Sequence, residues 1–257
     1  MRKRSRFPFF ERKINNSRFT AYINDVEKIT VTERGENAPY MSYLYGKVTD
    51  KFSFLPTTSE KLKEGDRTAL VFKAERKYCP YIRKYTEENV ADVIAIGYKY
   101  RYFKDLLVLP LLNGEEKDVL LCALVAADYA EDHAYVREKL KGHGQYCIDG
   151  TFHFQLSELK ERWKKIADYV PTEFGGASLE SFIDFLAGEG ENRIFLKDGE
   201  AYDEEYRKQS KSELIGKPSL IREILLSGAG NIYCFGSQEK KTEEFLKKYY
   251  KEKVVFC

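Results

Sequence analysis

His143, Cys147 and His153 form the one close grouping of histidine and cysteine in the chain. A structural zinc site takes four ligands, usually at paired spacings, and no fourth ligand lies near these three in sequence. No metal and no cofactor is therefore expected. Cys147 and His143 could meet as nucleophile and base, but such a pair also needs an orienting group, and no Gly-x-Ser-x-Gly elbow or other local signature accompanies them. Gly228-Ala-Gly230 follows a helix pattern and precedes a strand pattern, the reverse of a dinucleotide fingerprint. Gly175-Gly176-Ala-Ser178 opens a helix pattern and has amides that could hold an anion, although a turn and a cap explain it as well. Two acidic groups, Asp149, Glu158, Glu161 and Asp168, and Asp203, Glu204 and Glu205, keep open a hydrolase or nuclease with carboxylates dispersed in sequence. Acids at this density are ordinary in a chain with 33% charged residues.

Basic residues beside aromatic rings are the more distinctive feature. Tyr98-Lys99-Tyr100-Arg101-Tyr102-Phe103-Lys104, preceded by Arg83-Lys84-Tyr85, alternates rings with cations as single-stranded nucleic-acid sites do. Seven of the first 20 residues are basic against Glu11 alone, including Arg2, Lys3, Arg4 and Arg6. A basic arm on a mildly acidic body can touch nucleic acid or anionic lipid. The candidate nucleic-acid set is thus Arg2, Lys3, Arg4, Arg6, Lys99, Arg101 and Lys104. The alternative is structural: a solvated N-terminus, and a helix whose Tyr100 and Phe103 face the core while Lys99, Arg101 and Lys104 point outward with snorkelling stems. Residues 1–13, with almost no apolar periodicity, are expected to contribute little to the fold.

The elements that would position these residues follow from periodicity. Residues 1–18 read as the basic arm, and 19–58 as short strands or irregular structure around Ile29–Val31 and Met41–Tyr45. Residues 59–189 read as a helix-rich domain, interrupted where Cys79-Pro80 forces its first residue out of the α region. Ile82, Tyr85, Asn89, Val93, Ile96, Tyr100, Phe103 and Leu107 recur in steps of three and four, one face of a long helix. Gly97 within it weakens that helix or admits a close neighbour. Glu115–Asp128 predicts a second helix, apolar all round at its centre and hence surrounded by others; residues 131–140 predict a third. Tyr146–Leu156 reads as extended. Leu156, Leu159, Trp163, Ile166 and Val170 predict a helix with Ser157 as its cap and Trp163 as a core anchor. Leu179, Phe182, Ile183 and Leu186 predict another, capped by Ser178.

Residues 190–257 read as a hairpin followed by a βαβ unit. Asp198-Gly199 between Arg193–Lys197 and Glu200–Tyr202 suits a type I′ turn. Pro218 opens a helix, Asn231–Phe235 reads as a buried strand, and a helix through Thr242, Phe245, Leu246 and Tyr249 leads to a last strand at Val254–Phe256. A strand–helix–strand of this length makes the two strands parallel. The expected fold is α+β: a helix-rich central block followed by a small C-terminal α/β part.

Composition bounds the rest. Net charge is +2, and 36 of the 257 residues are Tyr or Phe, so a core can be built from aromatic area and wholesale disorder is excluded. The longest apolar run, Val119–Ala127, is far short of the roughly 20 residues a membrane-spanning helix needs. Phe7–Phe10 is too short for a secretory h-region. Five widely spaced cysteines, Cys79, Cys122, Cys147, Cys234 and Cys257, read as reduced thiols of a cytoplasmic protein, with Cys122 and Cys234 buried as small hydrophobes.

A helix-rich segment, the signature Gly150-Thr-Phe-His-Phe-Gln155-Leu156, an amphipathic helix, and a closing helix, strand, charged helix and Val254-Val255-Phe256-Cys257 together resemble the YtxC family of sporulation proteins of endospore-forming bacteria. The resemblance spans roughly 80–257. It implies a cytosolic protein with a sporulation-linked role and no established catalytic residues. The leading expectation is a non-enzymatic binding protein with a protein partner. The alternative is a nucleic-acid-binding protein that uses the arm and the Tyr/Arg/Lys stretch.

Overall fold

The structure, a computed structural model, describes residues 26–257. The basic arm, with Arg2, Lys3, Arg4 and Arg6, and the expectation about residues 1–13 lie outside the described residues. The fold is α+β, with two four-stranded mixed sheets and ten α-helices among the described residues.

The first sheet has the order β2-β3-β1-β4. β1 (Val26–Arg34) pairs antiparallel with β3 (Arg67–Glu75), β3 pairs antiparallel with β2 (Thr57–Glu64), and the short β4 (Gln145–Cys147) joins β1 in parallel. Ile29 and Val31 point into the core from β1, as expected for this segment. Residues 19–25 lie outside the described residues, and beyond β1 the described part of 19–58 differs from expectation, because Ala38–Lys51 is a helix, α1, with Pro39 in its first turn. Tyr40, Met41, Leu44 and Val48 line its buried side at helical spacing, while Gly46 and the tyrosines gave the segment a strand-like local composition. The helix-rich block also begins later than residue 59. Residues 57–75 form the β2–β3 hairpin around Gly65, whose φ of +59° favours a residue without Cβ. β2 is an edge strand with exposed Glu60, Lys61, Lys63 and Glu64, charges that discourage pairing with another chain.

Pro80 lies in the first turn of α2 (Cys79–Asp92), where its missing N–H costs nothing. The chain continues through a π-helical segment, Val93–Tyr98, into α3 (Lys99–Leu106). A Cβ on Gly97 would fall 2.7 Å from the ring of Tyr40, so the glycine allows α1 to pack close. α4 (Gly114–Ala127) is buried from Val119 to Val125 and begins in a capping box, Asn113 with Glu116. α5 (Tyr129–Leu140) follows.

Only Gln145–Cys147 of the segment expected to be extended is a strand. Ile148–Gln155 is a helix, α6. Ile148, Thr151 and Phe152 point inward from it, whereas Phe154 is 87% exposed. The two phenylalanines that alternation would put on one face are split by the helical period. In α7 (Ser157–Tyr169) Ser157 is already inside the first turn and makes no cap, and α8 (Gly176–Glu189) starts before Ser178.

The second sheet has the order β6-β5-β7-β8. β5 (Asn192–Lys197) and β6 (Glu200–Tyr202) form the hairpin, with φ of 53° at Asp198 and 77° at Gly199, and Lys197 faces Glu200 across it. Pro218 stands just before the Ser219 cap of α9 (Leu220–Leu226), not inside the helix. β7 (Ala229–Phe235), α10 (Lys240–Tyr249) and β8 (Val254–Phe256) make the βαβ unit, and β7 and β8 are parallel. On α10 Glu243 pairs with Lys247 and Glu244 with Lys240. Backbone passes close at the start of β7: a Cβ on Gly230 would sit 1.8 Å from the carbonyl oxygen of Gly190. One cluster of buried apolar residues runs from Ile29 to Tyr250 and joins both sheets. The Arg222–Asp118 ion pair ties α9 to α4.

Deleting residues 253–257 should yield insoluble protein. The cut removes β8 and exposes the edge of β7, where Cys257 N also donates to the Cys234 carbonyl at 2.9 Å. Recovery of a soluble truncation with a cooperative melt would show that β7 does not need this partner.

Candidate functional site

The densest buried polar network lies where the C-terminal end of β1 meets the π-helical segment and α6. Glu33 follows Ile29 and Val31 at the period of two and so faces the core, where it is fully buried. Its carboxylate accepts from Tyr98 Oη at 2.7 Å, from Asn37 Nδ2 at 3.0 Å and from the Arg34 amide at 2.7 Å. Burial raises its pKa above the ordinary value, against the opposing pull of these three donors. Burial, and then the bond to Glu33, raise the pKa of Tyr98.

Asp149, in the first turn of α6, is the second buried acid. Arg67 donates to both its oxygens, at 3.1 and 2.7 Å, Arg34 Nε lies at 3.2 Å, and the Cys147 thiol donates at 3.3 Å. Burial works against its ionisation, but the Arg67 and Cys147 hydrogen bonds outweigh it and hold the carboxyl below its usual range.

Arg101 stands differently. Its guanidinium donates to Asn37 Oδ1 at 2.8 Å and Tyr40 Oη at 3.1 Å, and lies over the rings of Tyr40 and Tyr98, 5.5 and 5.2 Å from their centroids. No carboxylate of the described residues lies within ion-pair distance of it. It faces a cavity of about 340 Å³ lined also by Arg34, Asn37, Tyr102, Asp149, Phe152 and His153 and by the exposed Glu36 and Asp105.

The sequence-derived candidates are dispersed by the fold. Lys99, expected at the surface, is fully buried, with Nζ 2.8 Å from Asp132. That carboxylate also accepts from Trp163 Nε1 at 2.7 Å. Lys99 stands four residues before Phe103 and so shares the buried side of α3 with it, while Phe103 and Tyr100 pack inward as expected. Lys104 is exposed, and of the described members of the set Arg101 alone lines the cavity. His153 lies on this cavity, whereas His143 and Cys147 line another of about 290 Å³. Among the described residues no group of three or more His, Cys, Asp or Glu side chains is placed to hold a metal ion. Glu158 accepts from Tyr135, and Asp203 organises its own loop through the amides of Glu205 and Arg207; Glu161 and Asp168 are exposed. Cys122 and Cys234 are buried as expected. No helix among the described residues is long and apolar enough to cross a membrane.

Glu33 was accessible to sequence reasoning, since strand alternation from Ile29 puts it inside. Asn37 and the ring cradle of Arg101 depend on packing between segments some 60 residues apart and carry no local signal.

The raised pKa of Glu33 has a pH signature. From about 4.5 upward the unfolded chain loses this proton before the folded one does, so stability contributed here falls as pH rises toward the folded value. Glu33→Gln keeps the acceptor and removes the titration. Its stability relative to wild type, read from urea midpoints between pH 4.5 and 8, should therefore improve with pH. A pH-independent difference would mean that Glu33 ionises as in the unfolded chain.

Compared with protein-family models, with curated proteins and with solved structures, the chain matches none.

Proposed function

We propose that this is a non-enzymatic binding protein of the cytoplasm, linked to sporulation, that recognises a protein partner by taking an anionic group of that partner, a carboxylate or a phosphate, onto Arg101. The observation that carries the reading is the state of Arg101: a guanidinium fixed by two hydrogen bonds and two rings, turned to a cavity, with no carboxylate paired to it. A fixed arginine fork is suited to planar or tetrahedral oxyanions. Arg34, which also lines the cavity, and Arg67 are already engaged by Asp149. The sporulation setting is supported by the resemblance to the YtxC family, and the cytoplasmic one by the free cysteines.

The nucleic-acid reading keeps Arg101 and Lys104 and loses Lys99, whose ammonium is spent on Asp132. Melting the full chain in inorganic phosphate and, separately, in succinate at constant ionic strength tests the proposal. At least one anion should raise the midpoint saturably, and Arg101→Gln should abolish the shift. The anion that acts identifies the partner group as phosphate-like or carboxylate-like. Equal midpoints in wild type and Arg101→Gln under both anions would refute the reading, and binding of an oligonucleotide with a steep salt dependence would replace it with the nucleic-acid one.

A further inference from the structure

The second sheet has a face that is only partly covered among the described residues. β5, β7 and β8 are adjacent and parallel and follow one another in chain order. Both crossovers therefore step the same way across the sheet, and right-handed connections put α9 and α10 on the same side. On that side Ile194, Leu196, Ile232 and Cys234 are buried. Parallel strands are ordinarily covered on both faces, but here the opposite face carries rings in contact with solvent. Tyr202, Phe195, Tyr233 and Val255 stand in one row across the four strands. Tyr206, held at a φ of 56°, stacks on Phe195 at 5.2 Å and 16° between planes, and Phe195 stacks on Tyr233 at 5.4 Å and 27°. Tyr206 is 71% exposed, Val255 46% and Phe235 39%. An apolar strip of this kind marks an interaction surface.

The charge around it selects the occupant. Arg193 and Lys197 lie two residues either side of Phe195 on the same face, and neither side chain makes an ion pair among the described residues, while Glu204 accepts from the Arg193 backbone amide at 3.0 Å. The nearest strand acid across the hairpin, Glu200, is already paired with Lys208. Phe195 stacks with both Tyr206 and Tyr233, so its ring is engaged within the protein and is not a free platform for a nucleobase. We infer that this face docks a partner protein through a segment of apolar side chains flanked by carboxylates. The inference does not rest on the Arg101 cavity.

The test uses the full chain and two fluorescein-labelled twelve-residue peptides, one of alternating leucine and glutamate, the other of alternating leucine and lysine. The glutamate peptide should bind by anisotropy, at least tenfold more tightly than the lysine peptide. Arg193→Glu with Lys197→Glu, and separately Tyr206→Ser with Phe235→Ser, should each weaken it at least tenfold. These side chains are exposed enough for the urea midpoint to hold, and Arg101→Gln should bind as wild type does, which separates this surface from the anion cavity. Equal binding of the two peptides would overturn the inference. So would loss of a wild-type dimer in the Tyr206→Ser, Phe235→Ser variant by sedimentation, which would assign the face to a second copy of the chain. Displacement of the glutamate peptide by oligothymidylate would assign it to nucleic acid.

Discussion

Replacing Asp132 with alanine should destabilise the protein by about 3–5 kcal/mol, because it leaves a buried ammonium without its counter-ion. Lys99 Nζ is fully enclosed and has Asp132 at 2.8 Å, with Asp128 next at 3.8 Å. The same substitution strips Trp163 Nε1 of its acceptor and Arg162 of a contact at 3.5 Å. Removing the cation instead is milder, since in Lys99→Met the carboxylate keeps both of those donors. The ordering is therefore Asp132→Ala well below Lys99→Met, with Lys99→Met, Asp132→Asn recovering much of the loss because the amide still accepts from the indole. Urea denaturation of the three variants measures this. Similar losses for Asp132→Ala and Lys99→Met would mean that Lys99 reaches water when its partner is removed.

Trp163→Ala should cost about 3–5 kcal/mol, the range for truncating a large core aromatic. Trp163 is fully buried, stacks on Phe152 at 5.8 Å and lies 5.7 Å from the ring of Tyr102. Trp163→Phe keeps most of the area and loses the bond to Asp132, so it should fall between wild type and alanine. As the only tryptophan, it also reports on itself: native emission should be blue-shifted and poorly quenched by iodide. Red, freely quenched emission with a near-silent alanine variant would place the indole at the surface.

Much of the architecture was legible because it is written in local patterns. Asp198-Gly199 specifies its turn by the φ values it tolerates, the Leu156–Val170 stripe predicts α7, and the apolar run at Val119–Ala127 can only be a covered element. What misled is equally physical. Residues 146–156 alternate like a strand over too few positions to distinguish a period of two from one of 3.6, and Ser157 and Ser178 have the composition of caps although the cap positions fall at Leu156 and Gly175. The β2–β3 hairpin lies in a charged stretch whose exposed edge conceals its alternation. The site was less legible than the fold. Lys99 turns inward beside Phe103 because Asp132 of α5 is there to receive it, a partner that the local sequence does not show. Arg101 acquires meaning only when α1 brings Asn37 and Tyr40 beside it.

The chemical shift of the Arg101 side-chain Nε–Hε group, followed in the full-length protein as phosphate or succinate is added, addresses the anion-binding account most directly. A saturable movement of that resonance with at least one of the two anions, at a midpoint matching the rise in melting temperature, with the exposed Arg193 signal drifting only linearly, is the predicted result. An Arg101 signal that stays fixed with both anions, or moves no more than that of Arg193, would contradict the account.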